Sequence, residues 1–293
     1  MGKVARLIPR VIHQTYSTSD IPNDFLQGIE NLKSINPGWE YRFYNEDDRS
    51  IYIIKNYGDE IFKIYNSINP KYGAARADLF RYLVLYKDGG VYLDIKSTCT
   101  IPLDELINDN DEFFLSHWPN GKGEYFEYAG FFPELKKIPY GEFQQWYIIA
   151  RPNSIFLKKV IDKVLDNIVK YNPWKFGVSK IGVLRLTGPI PYTQVIYPLF
   201  LKSNSNIKYA RNHYHFNLIY SFLDNPSSHE RIIKNHYSFC SEPIVLPDNE
   251  FKKNSYRLFI ILRFINRIIF RKDRGKVTFK ELLLILKSNI KSF

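Results

Sequence analysis

The stretch from residue 73 to residue 95 constrains the fold of this chain more than any other. Apolar side chains recur at helical spacing in GAARADLFRYLVLYKD, and the pair Gly89-Gly90 then ends the helix. The short apolar run VYLDI at 91–95 has the composition of a buried strand. The pattern predicts an amphipathic helix packed on a sheet, with Asp94 at the carboxyl end of a strand.

The rest of the chain alternates strands and helices in the same way. Strands are expected within 11–14 and 39–47, and helices within 24–38, 49–68 (with a break near Gly58), 154–171 and 193–200. This order predicts an α/β fold with a Rossmann-related, open, mixed and largely parallel sheet flanked by helices. The simplest division is one domain over 1–245 and a helical extension over 246–293.

Charged side chains from two adjacent elements are expected at the same crevice. Asp94 ends the predicted strand, while Arg76, Asp78 and Arg81 lie on the helix before it, with Asp78 and Arg81 three residues apart. Carboxylates bind sugar hydroxyls or a metal and cations bind phosphate, so the set suits a nucleotide diphosphate. The same residues also suit an ion pair that fixes a helix to a sheet, and on their own they favour that interpretation.

The stretch RADLFRYLVLYKDGGVYLDIK at 76–96 closely resembles the signature of the DXD-containing sugar transferases of glycosyltransferase family 32. Five other segments resemble blocks of that family, in the family's order: IPRVIHQTY at 8–16, NPGWEYRFYNEDD at 36–48, QWYIIARPNSIF at 145–156, TGP at 187–189 and NHYSF at 235–239. Each match is short, but six in the correct order over residues 8–239 form a specific signal.

The resemblance implies a GT-A-like fold and transfer of a sugar from a UDP- or GDP-sugar donor, with retention at the anomeric carbon. Asp78 and Arg81 would hold the donor sugar and diphosphate, and Asp94 would be the first acid of the DXD motif. Tyr16 would stack on the donor base, although a tyrosine at the edge of the core fits the same position. The resembling blocks add further candidate donor-binding residues: His13, Gln14, Arg76, Gln145, Trp146 and Gly188.

The chain departs from the family pattern at Lys96, which stands where the second, metal-binding acid of the DXD motif is expected. Strand alternation predicts that Lys96 lies on the same face as Asp94. Lys96 could then neutralise the departing diphosphate without a metal. Alternatively, Asp94, His236 and phosphate oxygens could keep Mn²⁺ or Mg²⁺ with Lys96 turned aside, or the protein could be an inactive relative.

The charge of the chain is concentrated in its last segment. Residues 251–293 carry a net charge of +10, and the remainder carries +1. Arg263, Arg267 and Arg271 recur at four-residue spacing among apolar residues, a pattern typical of a helix lying on an anionic membrane surface. A helix pair packed on the domain is the alternative, and nucleic-acid binding is not expected because no such motif accompanies the charge.

The sequence therefore predicts a retaining glycosyltransferase that moves a sugar from a nucleotide-sugar donor to a glycan or lipid-linked acceptor in surface polysaccharide synthesis. Two cysteines without a framework, and no apolar leader or spanning run, predict a cytoplasmic protein peripheral on the cytoplasmic membrane face. The alternative is a non-catalytic protein that binds nucleotide sugars or glycans and has lost the metal-binding acid.

Overall fold

The computed structural model describes residues 6–223, 238 and 240–269. The strands are β1 (Val11–Thr15), β2 (Glu40–Tyr44), β3 (Gly90–Leu93), β4 (Thr98–Cys99), β5 (Phe113–His117), β6 (Tyr147–Ala150), β7 (Ile207–Asn212) and β8 (Leu218–Ile219). The helices are α1 (Asn23–Ile35), α2 (Glu46–Ser67), α3 (Gly73–Asp88), α4 (Leu103–Leu106), α5 (Ile155–Val169), α6 (Pro173–Phe176), α7 (Ser179–Leu186), α8 (Pro189–Phe200) and α9 (Glu250–Ile269). Short 3₁₀ helices lie at Pro133–Leu135 and His213–Phe216.

Six strands form one open sheet in the order β2-β1-β3-β6-β5-β7. The pairs β1–β2, β1–β3 and β5–β7 are parallel, whereas β6 runs antiparallel to both β3 and β5. Five of the six strands therefore point in one direction and β6 alone is reversed. The expected open, mixed α/β sheet flanked by helices is confirmed.

The sheet is covered by apolar side chains on both faces. Alternation along β3 sends Val91 and Leu93 into a cluster with residues of α1 and α4. Tyr92, between them, joins a second cluster with residues of α2, α3, α5 and α8. The central strands are thus buried on both sides, which explains their apolar runs and leaves the strand ends as the natural place for polar chemistry.

Helix α3 is not amphipathic, so this part of the sequence-based prediction is wrong. Ten of its residues are buried, including Arg76, Asp78 and Arg81. The helix lies against the sheet and is also covered by α2, α5 and α7. These three charged residues are therefore enclosed beneath the fold surface, where unpaired charge is costly and pairing is required.

The turn between α3 and β3 needs both of its glycines. Gly89 and Gly90 have φ values of 69° and 100°, a region that residues with a Cβ rarely adopt. A Cβ on Gly90 would also lie 2.5 Å from the carbonyl oxygen of Val11 on the neighbouring strand. The glycine pair lets the chain reverse tightly from helix to strand, which fixes where Asp94 emerges four residues later.

Two other sequence-based expectations are resolved in this region of the fold. The break in α2 near Gly58 is confirmed, because Gly58 has φ 76° and ψ 179° within an otherwise helical segment. Helix α8 begins at Pro189, four residues before the expected start at 193.

Among the described residues, none of the helices combines the length and apolar composition that crossing a membrane requires.

Candidate functional site

The carboxyl ends of the five parallel strands collect at one edge of the sheet. This edge holds the ends of β1, β3, β5 and β7 side by side with the beginning of β6, which is reversed. Residues that directly follow or precede these ends are Tyr16, Asp94, Trp118, Gln145, Trp146 and His213. Ligands bind at this edge in open α/β sheets, so the topology brings distant parts of the sequence to one crevice.

Asp94 is held by its backbone and leaves its side chain partly accessible. Its N–H donates to the carbonyl oxygen of Trp146 (2.8 Å). Its own carbonyl oxygen accepts from the Nε2 of Gln14 (3.1 Å) and from the N–H of Ser97 (2.8 Å). The carboxylate retains 27% of its side-chain exposure, more than any other charged member of the cluster around it. Asp94 is thus placed to contact a ligand without moving the strand.

Arg81 joins the two carboxylates of the cluster. Its Nη2 lies 3.1 Å from Oδ1 of Asp94 and 3.3 Å from Oδ1 of Asp78, while Nη1 donates to the carbonyl oxygen of Gln145 (2.7 Å). Its guanidinium also lies 4.6 Å from the ring centre of Tyr92. Burial lowers the pKa of Arg81, but attraction to Asp94, Tyr92 and Asp78 outweighs it and the net shift is upward. A permanent positive charge therefore lies 3.1 Å from the Asp94 carboxylate.

Asp78 is the buried member of the pair and is saturated with donors. The Thr187 hydroxyl donates to Oδ2 (2.8 Å), and the Gln145 side-chain amide donates to Oδ1 (3.2 Å). Burial raises the pKa of Asp78 to about 6, against the opposing effects of Arg81 and Thr187. Since only 3% of Asp78 is exposed, its role is to position Arg81 and Gln145 rather than to meet solvent.

Thr187, Tyr82 and Tyr92 complete the cluster, and the sequence reasoning did not select them. The Tyr82 hydroxyl contacts the side-chain oxygen of Gln145 and lies 2.9 Å from the carbonyl oxygen of Thr187. The Tyr92 hydroxyl lies 3.4 Å from Asp94. The TGP segment that resembles the family begins with Thr187, so this motif is the one signal that points to it. No motif marks the two tyrosines, since both resemble ordinary core residues.

Lys96 does not share a strand face with Asp94, so the alternation argument is wrong. Strand β3 ends at Leu93, and the hydrogen bond from Ser97 N–H to the Asp94 carbonyl oxygen closes a turn around Lys96. Only 5% of Lys96 is exposed, and its Nζ lies 3.9 Å from the ring centre of Tyr220. Lys96 thus follows Asp94 by two residues but lies in a turn, with its ammonium over the Tyr220 ring.

Tyr220 belongs to an aromatic cluster beside the acidic pair. Its ring centre lies 4.9 Å from that of Trp118, 5.5 Å from that of Trp146 and 5.9 Å from that of Phe126. His213 lies against Trp146 at 5.2 Å. Trp146 is only 4% exposed, so it supports the site from behind through its backbone contact with Asp94.

Two expected donor-binding residues lie away from the acidic cluster. His13 is fully buried, with Nδ1 3.2 Å from the Tyr44 hydroxyl and Nε2 3.0 Å from the Gly89 carbonyl oxygen. Arg76 bonds to the carbonyl oxygen of Ile68 and to Glu46 on α2. Both side chains are hydrogen-bonded within the fold, and neither forms a hydrogen bond or ion pair with Asp78, Arg81 or Asp94.

The remaining candidates keep positions at or near the edge. Gln14 supports Asp94 and accepts from the Tyr41 hydroxyl (2.9 Å). Tyr16 follows β1 and is half-buried, with its ring 5.8 Å from that of Phe25. Gly188 precedes α8, where a Cβ would lie 2.9 Å from Leu184 Cα, so a close helix approach explains this glycine.

The donor atoms around Asp94 do not fit a resident divalent cation. Asp94 already shares Oδ1 with Arg81, and the second acid of the motif is Lys96, whose ammonium repels a metal. Across 6–223, 238 and 240–269, no three His, Cys, Asp or Glu side chains come together as a metal-binding group. His236, the other expected ligand, lies outside the described residues.

Glu142 gives the site a testable pH dependence. The free energy of unfolding of Glu142→Gln, relative to that of wild type, is expected to be about 2 kcal/mol higher at pH 8 than at pH 5. Burial raises the pKa of Glu142 to about 7, against the hydrogen bond from Trp118. The folded state therefore holds a proton that the unfolded state has lost, and wild-type stability falls as the pH rises through 7. The glutamine variant has no such term.

Urea unfolding of both proteins at pH 5 and pH 8 measures this difference. Among the described residues Oε2 of Glu142 has no hydrogen-bond partner, so ionisation there is uncompensated. A stability difference that is the same at both pH values would contradict the assignment.

Comparisons with known proteins agree with the sequence resemblance. Residues 22–113 match the family model described as glycosyltransferase sugar-binding region containing DXD motif, and this range includes Asp78, Arg81 and Asp94. The chain is similar to the mannosyl phosphorylinositol ceramide synthase of Saccharomyces cerevisiae, 28% identical over 201 residues that cover 67% of this chain and 50% of that protein. It is also similar to inositol phosphoceramide mannosyltransferase 3 of Schizosaccharomyces pombe, 34% identical over 101 residues that cover 34% of this chain and 28% of that protein.

The chain thus spans half the length or less of these two curated relatives. Among solved structures, the PaToxG glycosyltransferase superposes with a TM-score of 0.49 and 18% identity, covering 67% of this chain and 71% of that one.

Proposed function

We propose that this chain is a retaining, nucleotide-sugar-dependent glycosyltransferase, because residues 22–113 match the family whose glycosyltransferase sugar-binding region contains a DXD motif and the chain has an open, mixed, GT-A-like sheet. The observation that carries the proposal is the Arg81 guanidinium held between Asp78 and Asp94 at the carboxyl edge of the sheet. Such an arrangement offers a carboxylate for sugar hydroxyls and a fixed cation for phosphate in one small crevice.

The roles follow from which atoms remain accessible. Asp94 is the more exposed carboxylate and would accept hydrogen bonds from the donor sugar or ribose hydroxyls. Arg81, fixed by Asp78 and the Gln145 carbonyl oxygen, would stabilise charge that develops on the diphosphate as the glycosidic bond breaks. Tyr16, which follows β1 at the same edge, would stack on the donor base.

Retention by front-face attack fits the state of the two acids. Both oxygens of Asp78 are already hydrogen-bonded and the residue is 3% exposed, so it is poorly suited to attack an anomeric carbon. Asp94 is paired with Arg81, which lowers its nucleophilicity. The leaving phosphate would then accept the acceptor's proton on the same face, and the protein would supply charge stabilisation rather than a covalent nucleophile.

We further propose that protein cations, rather than a divalent metal, neutralise the leaving diphosphate. Arg81 supplies one such charge. Lys96 follows Asp94 by two residues, and its aliphatic chain is buried while its ammonium rests on the Tyr220 ring. A lysine held on an aromatic face can keep its charge while being partly shielded from water, which strengthens its attraction for a phosphate.

Donor hydrolysis in the presence of EDTA tests this charge arrangement. Wild-type protein is expected to keep its rate within about twofold when EDTA is added, and Lys96→Gln to lose about a hundredfold in either condition. Loss of the wild-type rate in EDTA with recovery in Mn²⁺ would contradict it and favour a metal held with His236. Lys122→Gln, a substitution on the exposed surface, serves as the control.

The acceptor is proposed to be a glycan or a lipid-linked sugar of a surface polysaccharide. Two relatives are named for mannosyl transfer or for inositol phosphoceramide substrates, which makes mannosyl donors the first to try. A lipid-linked acceptor would also fit a position on the cytoplasmic face of a membrane. The non-catalytic alternative would bind the same donors without turnover, so turnover distinguishes the two.

Helix α9 supports a membrane-facing position for the protein. It is anchored to the domain by Tyr256, whose hydroxyl donates to the carbonyl oxygen of Tyr171 (3.0 Å). Phe251, Leu258 and Leu262 are 83%, 51% and 45% exposed, and their spacing places them along one side of the helix. In the sequence, basic residues recur among apolar ones over 263–291, and an exposed apolar helix side followed by such a sequence suits anionic lipid head groups.

Replacing five basic residues of the tail (Arg267, Arg271, Lys272, Arg274 and Lys276) with glutamine is expected to weaken binding to phosphatidylglycerol vesicles at least about a hundredfold. Each charge near the surface contributes about 1 kcal/mol, and Tyr256 is left in place so that the domain keeps its anchor. Vesicle flotation measures the effect. Five exposed body lysines changed in the same way (Lys55, Lys63, Lys122, Lys137 and Lys202) form the control, and equal binding by both variants would contradict the idea.

A further inference from the structure

The segment 119–142 is a long excursion from the sheet edge. It leaves after β5 and returns at Phe143, where a β-bridge between His117 and Phe143 closes its base. Connections of this length without strands of their own are uncommon in compact domains and usually serve binding or catalysis. Because β5 ends at the same edge as Asp94, the segment rises directly beside the proposed donor site.

A buried asparagine gives this segment a fixed shape. Asn120 is 1% exposed, and its amide donates to the carbonyl oxygens of Ala129 (2.6 Å) and Tyr140 (3.0 Å). Arg211, from β7, donates to the Asn120 side-chain oxygen (3.0 Å) and to the carbonyl oxygen of Trp118 (2.6 Å). The excursion is therefore tied together from within and to the sheet, as a preformed binding surface requires.

Two tyrosines of the segment adopt an unfavourable backbone conformation. Tyr128 and Tyr140 have φ values of 61° and 63°, in the left-handed region that bulky residues rarely occupy. Such strain persists where the surrounding structure enforces it and is frequent at functional sites. Here Asn120 enforces both, since it accepts from the Tyr128 N–H (3.1 Å) and donates to the Tyr140 carbonyl oxygen.

Two exposed tyrosines lie at the ends of a chain of ring contacts that joins segment 119–142 to the residues after β7, with the rings of Phe126 and His213 6.2 Å apart. Tyr125 is 69% exposed and contacts Phe126 edge-on (4.8 Å between ring centres), and Tyr214 is 50% exposed and lies against His213 (4.3 Å). Burial raises the pKa of Tyr214, and Tyr125 and Glu124 raise it further. We refer to Tyr125 and Tyr214 as the tyrosine ledge.

The tyrosine ledge is continuous with the Asp94 region through aromatic contacts. The ring centre of Phe126, the residue after Tyr125, lies 5.9 Å from that of Tyr220. The Lys96 ammonium in turn lies 3.9 Å from the ring centre of Tyr220. A ligand resting on the ledge would thus extend toward the lysine that follows Asp94 in the chain. An acceptor resting on the ledge would therefore lie on the Lys96 side of a donor sugar held at Asp94.

The charge of the segment selects the kind of ligand. Residues 119–142 contain three lysines and four glutamates, so the surface has no excess of positive charge for anionic lipids. Glu124 and Arg211, 3.5 Å apart, add paired hydrogen-bonding groups next to the exposed rings. Aromatic rings combined with carboxylate and guanidinium groups suit the apolar faces and the hydroxyls of a sugar ring.

We propose that the tyrosine ledge is the acceptor platform, on which a sugar ring of a glycan stacks while Glu124 and Arg211 bind its hydroxyls. The proposal rests on the proposed function and narrows its acceptor to one recognised through sugar rings rather than through lipid. It also gives the strained segment 119–142 a purpose, which is to present Tyr125 at a fixed height above the sheet edge.

An array of immobilised oligosaccharides, probed with the labelled full-length protein, tests the platform. The double variant Tyr125→Ala, Tyr214→Ala is expected to need at least about tenfold more protein for half-maximal binding, since each stacked ring contributes separately. The double variant Tyr125→Phe, Tyr214→Phe keeps the stacking faces and should retain binding within about threefold. Trp174→Ala, an exposed aromatic on α6 that contacts Phe259, is the control and should bind as wild type.

Unchanged binding by the alanine double variant, or no glycan bound by wild type, would overturn the platform. Loss of vesicle binding with intact glycan binding in that variant would overturn it in favour of lipid. Donor hydrolysis by the wild-type protein, measured in parallel, reports on the proposed function separately. If wild type binds glycans through the ledge but turns over no donor, the enzyme proposal fails while the platform stands.

Discussion

Replacing Asp94 with asparagine is expected to lower donor turnover at least about a hundredfold while changing the free energy of unfolding by about 1 kcal/mol or less. The substitution keeps the shape of the side chain and an oxygen for Arg81, but removes the negative charge that we propose binds the donor hydroxyls. The backbone of Asp94 is fixed independently by Trp146, Gln14 and Ser97, so the position survives the change. Activity and stability therefore separate at this residue.

The matched control is Asp166→Asn, an exposed acid on α5 that pairs with Lys170 one turn away. This variant removes one negative charge on α5, outside the residues that gather at the carboxyl ends of the strands, and should leave turnover at the wild-type rate. Released nucleoside diphosphate measures turnover, and thermal unfolding measures stability. Wild-type turnover in Asp94→Asn would remove Asp94 from the site, and a collapse of stability would mean that its role is structural.

Replacing Arg81 with methionine is expected to cost about 3–5 kcal/mol of stability and to abolish turnover. Methionine fills similar volume but leaves the carboxylate of Asp78, which is 3% exposed, without its buried partner. Burial already raises the pKa of Asp78 to about 6, and loss of the arginine raises that pKa further. The folded state of the variant then binds more protons than the unfolded state, so the stability deficit shrinks as the pH falls from 8 to 5.

A second substitution separates the charge effect from a packing effect. Adding Asp78→Asn to Arg81→Met removes the unpaired charge and is expected to recover part of the lost stability. Urea unfolding of wild type, the two single variants and the double variant measures this coupling. Arg151→Met breaks a more exposed pair with Glu112 and should cost about 1 kcal/mol or less. Strictly additive losses, or equal losses for Arg81→Met and Arg151→Met, would contradict a buried charge network.

The edge of the sheet and its first acid were predictable from local patterns. The glycine pair after α3 and the apolar run after it placed Asp94 at a strand end, and helical spacing placed Asp78 next to Arg81. These inferences hold because each depends on residues close in sequence, where steric rules and hydrogen-bond geometry leave few alternatives.

Other parts of the site depend on contacts that no local pattern specifies. The Thr187 hydroxyl donates to Asp78 although more than a hundred residues separate the two in the sequence. Similarly, the Lys96 ammonium lies over the ring of Tyr220, which is distant in sequence. Arg76 shares helix α3 with Arg81 but faces α2, because the helix is covered on nearly all sides. The direction of Lys96 was predicted wrongly because the strand ends at Leu93, two residues before the end of the apolar run, and a turn follows.

The most direct test of the central claim is nucleoside diphosphate release from a panel of UDP- and GDP-sugars, mannosyl donors included, by the full-length protein without an acceptor. If Asp94 and Arg81 hold the donor, we expect slow release of nucleoside diphosphate from at least one donor. This release should persist in EDTA and disappear in Asp94→Asn. Binding of UDP or GDP with no release from any donor, in EDTA or in Mn²⁺, would contradict catalysis and favour a non-catalytic nucleotide-sugar-binding protein.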